Sequence, residues 1–126
     1  MIRILLLALA GFTAYAQQNQ NAANAEIHVL PVQGQIYMLV GDGGNVTLQV
    51  GKDGVLLVDT GLGPMSDKLL AAIKKISDKP IRYVINTHVH ADHTGGNEKI
   101  AKAGSTIAGG NAVSYTHLTL PTNREV

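Results

Sequence analysis

The feature that most constrains this chain is a run of metal-binding residue types, His88-Val89-His90-Ala91-Asp92-His93. An apolar stretch over residues 81–87 precedes the run and predicts a strand. Gly95-Gly96 follows it, and a glycine pair gives the backbone freedom to bend away toward a further helix. In layered α/β sheets, chemistry usually lies at the carboxyl ends of strands, which is where this run falls.

The spacing inside the run predicts two pairs of metal ligands. Residues two apart on an extended chain project to the same side, so His88 and His90 should face one point while Val89 points into the core. Asp92 and His93 follow after a turn, which directs them to a second point. A solitary His or Asp in a loop is usually solvated or locally hydrogen-bonded. Four such residues together favour a metal site instead, with imidazoles that suit zinc and related ions.

Around the run, the hydrophobic pattern predicts an α/β fold, a mixed sheet with helices on one face. Apolar side chains recur at helical spacing after Pro64, with lysines on the other face. His28 lies in a predicted strand without a ligand-type neighbour and is expected to be an ordinary surface or core histidine. The predicted elements are an antiparallel meander of strands over 26–30, 35–40, 46–50 and 55–60, a helix ending before Pro80, a strand over 81–87, a helix over 97–103, and the start of a strand over 105–108.

Composition excludes several classes of function. The net charge of +1 provides no strong field for nucleic acid, and aromatic residues, at 4%, are too few for stacking single strands. The absence of Cys excludes a disulfide scaffold, a Cys-based zinc finger and a thiol nucleophile. The expected partner is therefore a small-molecule substrate and not nucleic acid.

The N-terminus has the pattern of an export signal over residues 1–16. Arg3 is followed by the short apolar run ILLLALA and by Ala14-Tyr15-Ala16, a small-x-small cleavage pattern. The alternative is a buried N-terminal helix. Cleavage would leave residues 17–25, a polar tract that we expect to be a disordered linker. The signal predicts a periplasmic or secreted protein without stable membrane association once the signal is removed.

The C-terminal segment, residues 113–126, resembles the translation of a sequencing adapter derived from a transposon. The resemblance covers Val113 to Thr122, and the spacing to Val126 and a following stop agrees with it. The alternative is a genuine strand of Tyr, Thr and Leu ended by Pro121, which the strand propensities allow. We therefore expect a non-native tail, and His117 is not counted as a ligand.

Two motifs resemble those of the metallo-β-lactamase-fold hydrolase superfamily. They are HVHADH with the following TGGN, and the upstream VLLVDTG that ends at Asp59-Thr60-Gly61. The resemblance covers about residues 26–112 and implies the N-terminal half of an αββα sandwich with a site for two zinc ions, Zn(2+), at its edge. It is specific for the superfamily but not for a substrate.

The resemblance also implies roles for individual residues. His88 and His90 match ligands of the first metal, and Asp92 and His93 match ligands of the second. Asp92 is in addition the expected catalytic residue, which steers the attacking hydroxide and accepts its proton. Asp59 matches a carboxylate that orients the ligand loop. Its alternative role is that of a strand-end Asp that caps the glycine-rich turn.

The expected function is hydrolysis of a small ester, lactone, thioester or β-lactam through metal-bound hydroxide. The family also uses a third His, a bridging Asp and a last His, for which residues 26–112 offer no match. The domain is therefore expected to be truncated, and whether this chain is itself an enzyme stays open. One alternative is a non-catalytic, poorly folded fragment with at most weak metal binding. Another is an oxidoreductase that uses iron, which the ligand types permit.

Overall fold

The computed structural model describes residues 20, 22, 24–106 and 108–116. The predicted export signal and residues 117–126, including His117, lie outside the described residues. The predicted linker over 17–25 is described only in part; there Gln20, Ala22 and Asn24 have helical backbone, and Ala22 is buried. In the portion of the chain that is described, no helix is both long and apolar enough to cross a bilayer.

The described residues form a six-stranded sheet in which the strands are neighbours in chain order. The first four strands are antiparallel to one another, whereas the fourth, fifth and sixth run parallel. This arrangement confirms the predicted mixed sheet. The strands are β1 (His28–Gln33), β2 (Ile36–Val40), β3 (Val46–Val50), β4 (Val55–Val58), β5 (Ile81–Asn86) and β6 (Val113–Thr116).

Parallel neighbours need a crossover, and helices provide it here. A 3-10 turn (Gly63–Met65) with Pro64 inside it leads into α1 (Ser66–Ile76), which connects β4 to β5. Two short helices follow β5, namely α2 (Ala91–Thr94) and α3 (Asn97–Ala103). The predicted helices after Pro64 and over 97–103 are thus confirmed.

The core lies between the helices and one face of the sheet. Leu48 and Leu57 on neighbouring strands are fully buried, as is Ile100 of α3. On the opposite face, Tyr83 and Ile85 of β5 keep 36% and 41% of their surface exposed. The core consists of Leu39, Val46, Leu48, Val55, Leu57, Leu69, Ile73, Ile81, Val84, Ile100 and Ala112.

Two predicted boundaries differ from the structure. β1 continues through Pro31, which a strand at the sheet edge tolerates because its outer side needs no N–H donor. The strand predicted to begin over 105–108 is wrong, because the described residues there form no strand. The chain instead reverses through Gly109 and Gly110, both at positive φ, and Thr106 N–H donates to Gly110 O. β6 begins only at Val113 and coincides with the first residues of the segment that resembles an adapter, whose origin stays a prediction.

Candidate metal centre

The four predicted ligands follow the carboxyl end of β5, beside the carboxyl end of β4. Asp59 follows β4 directly, and Thr87 and His88 follow β5. Because the two strands are parallel, their carboxyl ends meet at the same edge of the sheet. The loop after β5 then enters α2, which carries Asp92 and His93.

His88 and His90 form the first pair. Nε2 of His88 lies 3.1 Å from Nδ1 of His90, and the rings meet edge to face with centroids 4.7 Å apart. The two nitrogens thus lie close together, although the chain bends at residues 87–89 and is not the extended strand on which the prediction rests. The prediction that Val89 enters the core is wrong, since 61% of its surface is exposed. Val89 lies beyond the end of β5, where the chain has left the sheet.

Asp92 and His93 form the second pair. Nε2 of His93 lies 3.4 Å from Oδ2 of Asp92. The turn of α2 places them: the carbonyl of His90 accepts the N–H groups of His93 and Thr94, each at 3.0 Å. The rings of His88 and His93 have centroids 4.0 Å apart, so the two pairs are adjacent.

Asp59 is a buried carboxylate whose hydrogen bonds run to the ligand loop. It is 3% exposed and has φ of 66°, the left-handed conformation that Asp tolerates better than most residues. Its Oδ2 accepts the Nδ1–H of His93 at 2.8 Å and the hydroxyl of Thr87 at 2.8 Å, while Oδ1 accepts the Thr87 N–H at 2.8 Å. Its described side-chain bonds therefore run to the ligand loop and not to the glycine-rich turn.

A second buried network, which sequence reasoning missed, holds the backbone of His93. The carbonyl of His93 accepts the Thr60 N–H at 2.8 Å and the Asn86 Nδ2–H at 3.3 Å. Oδ1 of Asn97 lies 2.8 Å from the Thr60 hydroxyl and 3.1 Å from Asn86 Nδ2, and Asn97 Nδ2 donates to Asn86 Oδ1 at 2.8 Å. Thr60 and Asn86 are fully buried. The sequence did show that Thr60 and Asn86 are polar residues at the ends of apolar strands. It did not show which residues they would bond.

Three glycines beside the ligand loop allow neighbouring backbone segments to approach closely. Gly95 and Gly96 form the turn at which the chain bends away into α3, as predicted, but their φ of −61° and −86° do not require glycine. A Cβ on Gly96 would lie 2.5 Å from Thr60 O, and one on Gly95 would lie 2.7 Å from Gly63 N. Gly44 approaches from the β2–β3 turn, and its N–H donates to Asp92 O at 3.2 Å.

The spacing of the two pairs fits divalent metal. Ligand atoms bound at 2.0–2.1 Å to one tetrahedral zinc ion lie about 3.3 Å apart, close to the 3.1 Å and 3.4 Å found here. Among the described residues, no group of three or more His, Asp or Glu side chains is arranged around one ion. Each pair therefore offers two donors. His28 is exposed on edge strand β1, as a surface histidine.

Comparison with known proteins gives a family match over residues 39–121, to the model described as Metallo-beta-lactamase superfamily. Among solved structures, the Rm3 metallo-beta-lactamase matches with a TM-score of 0.62 and 24% identity, over 74% of this chain and 33% of that one. BJP-1, a subclass B3 metallo-beta-lactamase of Bradyrhizobium japonicum, matches with a TM-score of 0.57 and 29% identity, over 66% of this chain and 32% of that one. The class B3 di-zinc enzyme LRA-12 from an Alaskan soil metagenome matches with a TM-score of 0.58 and 23% identity, over 64% and 31%.

A curated relative matches over a shorter stretch. The linear primary-alkylsulfatase of Pseudomonas sp. (strain ATCC 19151) is 49% identical over 45 residues, which are 35% of this chain and 8% of the alkylsulfatase. The chain thus spans about a third of the solved structures that it matches, and a small part of this relative.

Proposed function

The chain belongs to the metallo-beta-lactamase superfamily, and from this premise we propose that it contributes part of a two-zinc hydrolase site. His88 and His90 hold one ion, and Asp92 and His93 hold the other. Asp59 orients the ligands. The observation that carries the proposal is the pairing of donor atoms at 3.1 Å and 3.4 Å at one edge of the sheet. A tetrahedral ion takes four ligands, so each pair fills half of a coordination shell.

Two carboxylates have separate proposed roles: one accepts a proton and the other orients a histidine. Bound divalent zinc lowers the pKa of water and polarises the bond to be cleaved. Asp92 is the proposed catalytic residue: its side chain is 42% exposed, Oδ2 faces His93, and the second carboxylate oxygen accepts a proton from the attacking water. Asp59 holds Nδ1 of His93 and thereby directs its Nε2 to the metal.

The proposed substrate is a small ester, lactone, thioester or β-lactam. The β-lactam is supported by the similarity to solved metallo-beta-lactamases. A sulfate ester is a second candidate, supported by the 49% identity with a stretch of the alkylsulfatase. The predicted export signal supports a reaction in the periplasm or outside the cell, where exogenous small esters and β-lactams are met.

The alternative is a non-catalytic fragment with at most weak metal binding. It is supported by the apolar face of the sheet away from the helices, where Leu30 and Ile85 are 44% and 41% exposed. Such a face normally packs against a further layer. The two proposals differ in an observable way, because a poorly folded fragment neither melts cooperatively nor retains metal at a defined ratio.

The test is metal content together with thermal melting of the full chain. We expect retained zinc, measured by mass spectrometry after dialysis, to fall when His88 and His90 are both replaced by Ala. The exposed His28→Ala variant is the matched control and should retain zinc as the wild type does. Unchanged zinc content in the double variant would refute the ligand assignment. Iron in place of zinc would favour the oxidoreductase alternative, and neither metal nor a cooperative transition would favour the fragment.

A panel of substrates then separates the candidate reactions. A chromogenic cephalosporin, p-nitrophenyl acetate, a γ-lactone, a thioester and a linear alkyl sulfate are offered to the zinc-loaded chain. Hydrolysis should depend on Asp92, so Asp92→Asn should lose it while Asp53→Asn, an exposed turn residue, should not. Turnover of the alkyl sulfate alone would favour the second candidate.

A further inference from the structure

Thr87 stands between Asp59 and the first ligand pair, and none of the roles assigned above requires its side chain. Its Oγ1 lies 2.8 Å from Oδ2 of Asp59 and 3.0 Å from Nδ1 of His88. It also lies 3.5 Å from Nδ1 of His93, which has a shorter contact, 2.8 Å, with Asp59 itself. Asp59 thus contacts the second pair directly and the first pair through one hydroxyl.

The direction of these hydrogen bonds follows from counting protons. A carboxylate only accepts, so the single proton of the Thr87 hydroxyl is donated to Asp59. Oγ1 of Thr87 then accepts from His88, whose neutral ring must carry its proton on Nδ1. The lone pair of His88 is left on Nε2, the atom that faces Nδ1 of His90. The same reasoning leaves the lone pair of His93 on Nε2, which faces Asp92.

We propose that Thr87 is a positioning residue for His88. Its hydroxyl donates to Asp59 and accepts from Nδ1 of His88, so the carboxylate orients the ring through Thr87. One buried carboxylate then sets the tautomer and ring orientation of a histidine in each pair. The inference rests on the proposed metal site and deepens it, since it assigns different supports to the two ions. Removing the hydroxyl should weaken the His88–His90 pair alone, whereas changing Asp59 should weaken both pairs.

The first readout is the tautomer of each histidine in the metal-free chain, measured by long-range 1H–15N NMR at a pH where the rings are neutral. Wild type should show His88 and His93 with the proton on Nδ1. Thr87→Val keeps the branched shape without the hydroxyl, so His88 should change toward the Nε2–H form while His93 stays. Thr87→Ser should restore the wild-type state of His88, and Asp59→Asn should alter both rings.

The second readout is metal affinity of the full chain, titrated with Co2+ and followed by its absorption bands. Loss of an outer hydrogen-bonding partner of a metal-bound His weakens binding about 10- to 100-fold. We expect that loss for one ion in Thr87→Val, near wild-type affinity in Thr87→Ser, and no change in Thr47→Val, a threonine of β3 that lies outside the ligand loop. Thr87→Ala carries the same expectation should the valine variant fail to fold.

The outcomes separate this inference from the proposed function. A wild-type chain that binds no Co2+ refutes the metal site, yet the tautomer change in Thr87→Val still reports on the role of Thr87. The inference is overturned when Thr87→Val leaves the tautomer of His88 unchanged. It is also overturned when Thr87→Ser binds Co2+ as weakly as Thr87→Val, because the hydroxyl is then not the cause.

Discussion

Polar side chains form hydrogen bonds at both ends of the parallel strands β4 and β5, but the two sets of side chains differ in burial. At the carboxyl ends, Asn86 and Thr60 are fully buried and share Asn97 and the carbonyl of His93. At the amino ends, Arg82 and Lys79 reach backbone carbonyls from more exposed positions. Water can replace a lost partner more readily at the second end than around the fully buried Thr60 and Asn86 at the first. The comparison therefore predicts that burial, and not the number of hydrogen bonds, decides what each end contributes to stability.

The largest effect should come from Asn97→Ala. The substitution removes the nearer acceptor of the Thr60 hydroxyl and two contacts of the Asn86 amide, and both of these side chains are fully buried. Hydrogen bonds lost at buried polar groups cost about 1–3 kcal/mol each, so we expect a loss of about 3 kcal/mol in the free energy of unfolding. Urea unfolding measures it, and Asn111→Ala, at an exposed loop position, is the matched control. Equal midpoints for the two variants would contradict the comparison.

Next in size is Gly44→Ala, at the same end of the sheet as the ligand pairs. A Cβ there would lie 2.7 Å from Asp92 O and 2.8 Å from Cε1 of His93, so the ligand loop must shift. We expect a cost of about 1–3 kcal/mol, typical of overpacking, and weaker binding of Co2+. Gly51→Ala at the opposite end is the control, because its Cβ would meet only Gly54 O at 3.2 Å. A loss of stability in Gly51→Ala equal to that in Gly44→Ala would remove the distinction between the ends.

Arg82→Ala tests the comparison at the amino ends of β4 and β5, where one side chain donates several hydrogen bonds. The guanidinium donates to Asp53 O at 2.9 Å, to Ser105 O at 2.8 Å and to Thr106 O at 2.8 Å. The residues that accept these bonds are themselves partly or fully exposed, so water can solvate their carbonyls after the side chain is removed, whereas Thr60 and Asn86 are fully buried. We expect a loss of about 1–2 kcal/mol, smaller than that of Asn97→Ala, and unchanged affinity for Co2+. A larger loss than in Asn97→Ala, measured in the same urea series, would show that the number of bonds outweighs burial.

The same contrast explains how much the sequence could predict. The alternation of apolar residues such as Val46 and Leu48 with polar ones predicts a strand with one buried face, and the spacing of His88 and His90 predicts that they face one point. These are properties of short stretches. The partners of Asn86 lie beyond its own strand and those of Thr60 lie more than 30 residues away, so no pattern within one element indicates them.

The errors have the same cause. Gly95 and Gly96 suggest flexible backbone in the sequence, yet the structure uses them because Gly63 and Thr60 lie against them. Val89 is predicted to point into the core because it lies between two residues that face the site, but it lies past the end of the sheet and 61% of its surface is exposed. Local periodicity gives the direction of a side chain, whereas only the tertiary fold shows what it meets.

The smallest effect belongs to the exposed pair Glu98 and Lys102 on α3. Lys102 donates to the carboxylate at 2.5 Å and holds the pKa of Glu98 below its usual value, but the two side chains are 82% and 65% exposed. Because the pKa is lower in the folded chain, the contribution to stability is present above the pKa of the unfolded state and is lost as pH falls through the lowered value. Glu98→Gln should therefore melt slightly below wild type near pH 7, and the two curves should converge in acid. Added salt should narrow the difference as well, since it screens exposed charges. A difference in melting temperature as large as that of Arg82→Ala, or one that persists in acid, would mean that Glu98 acts through something other than this surface ion pair.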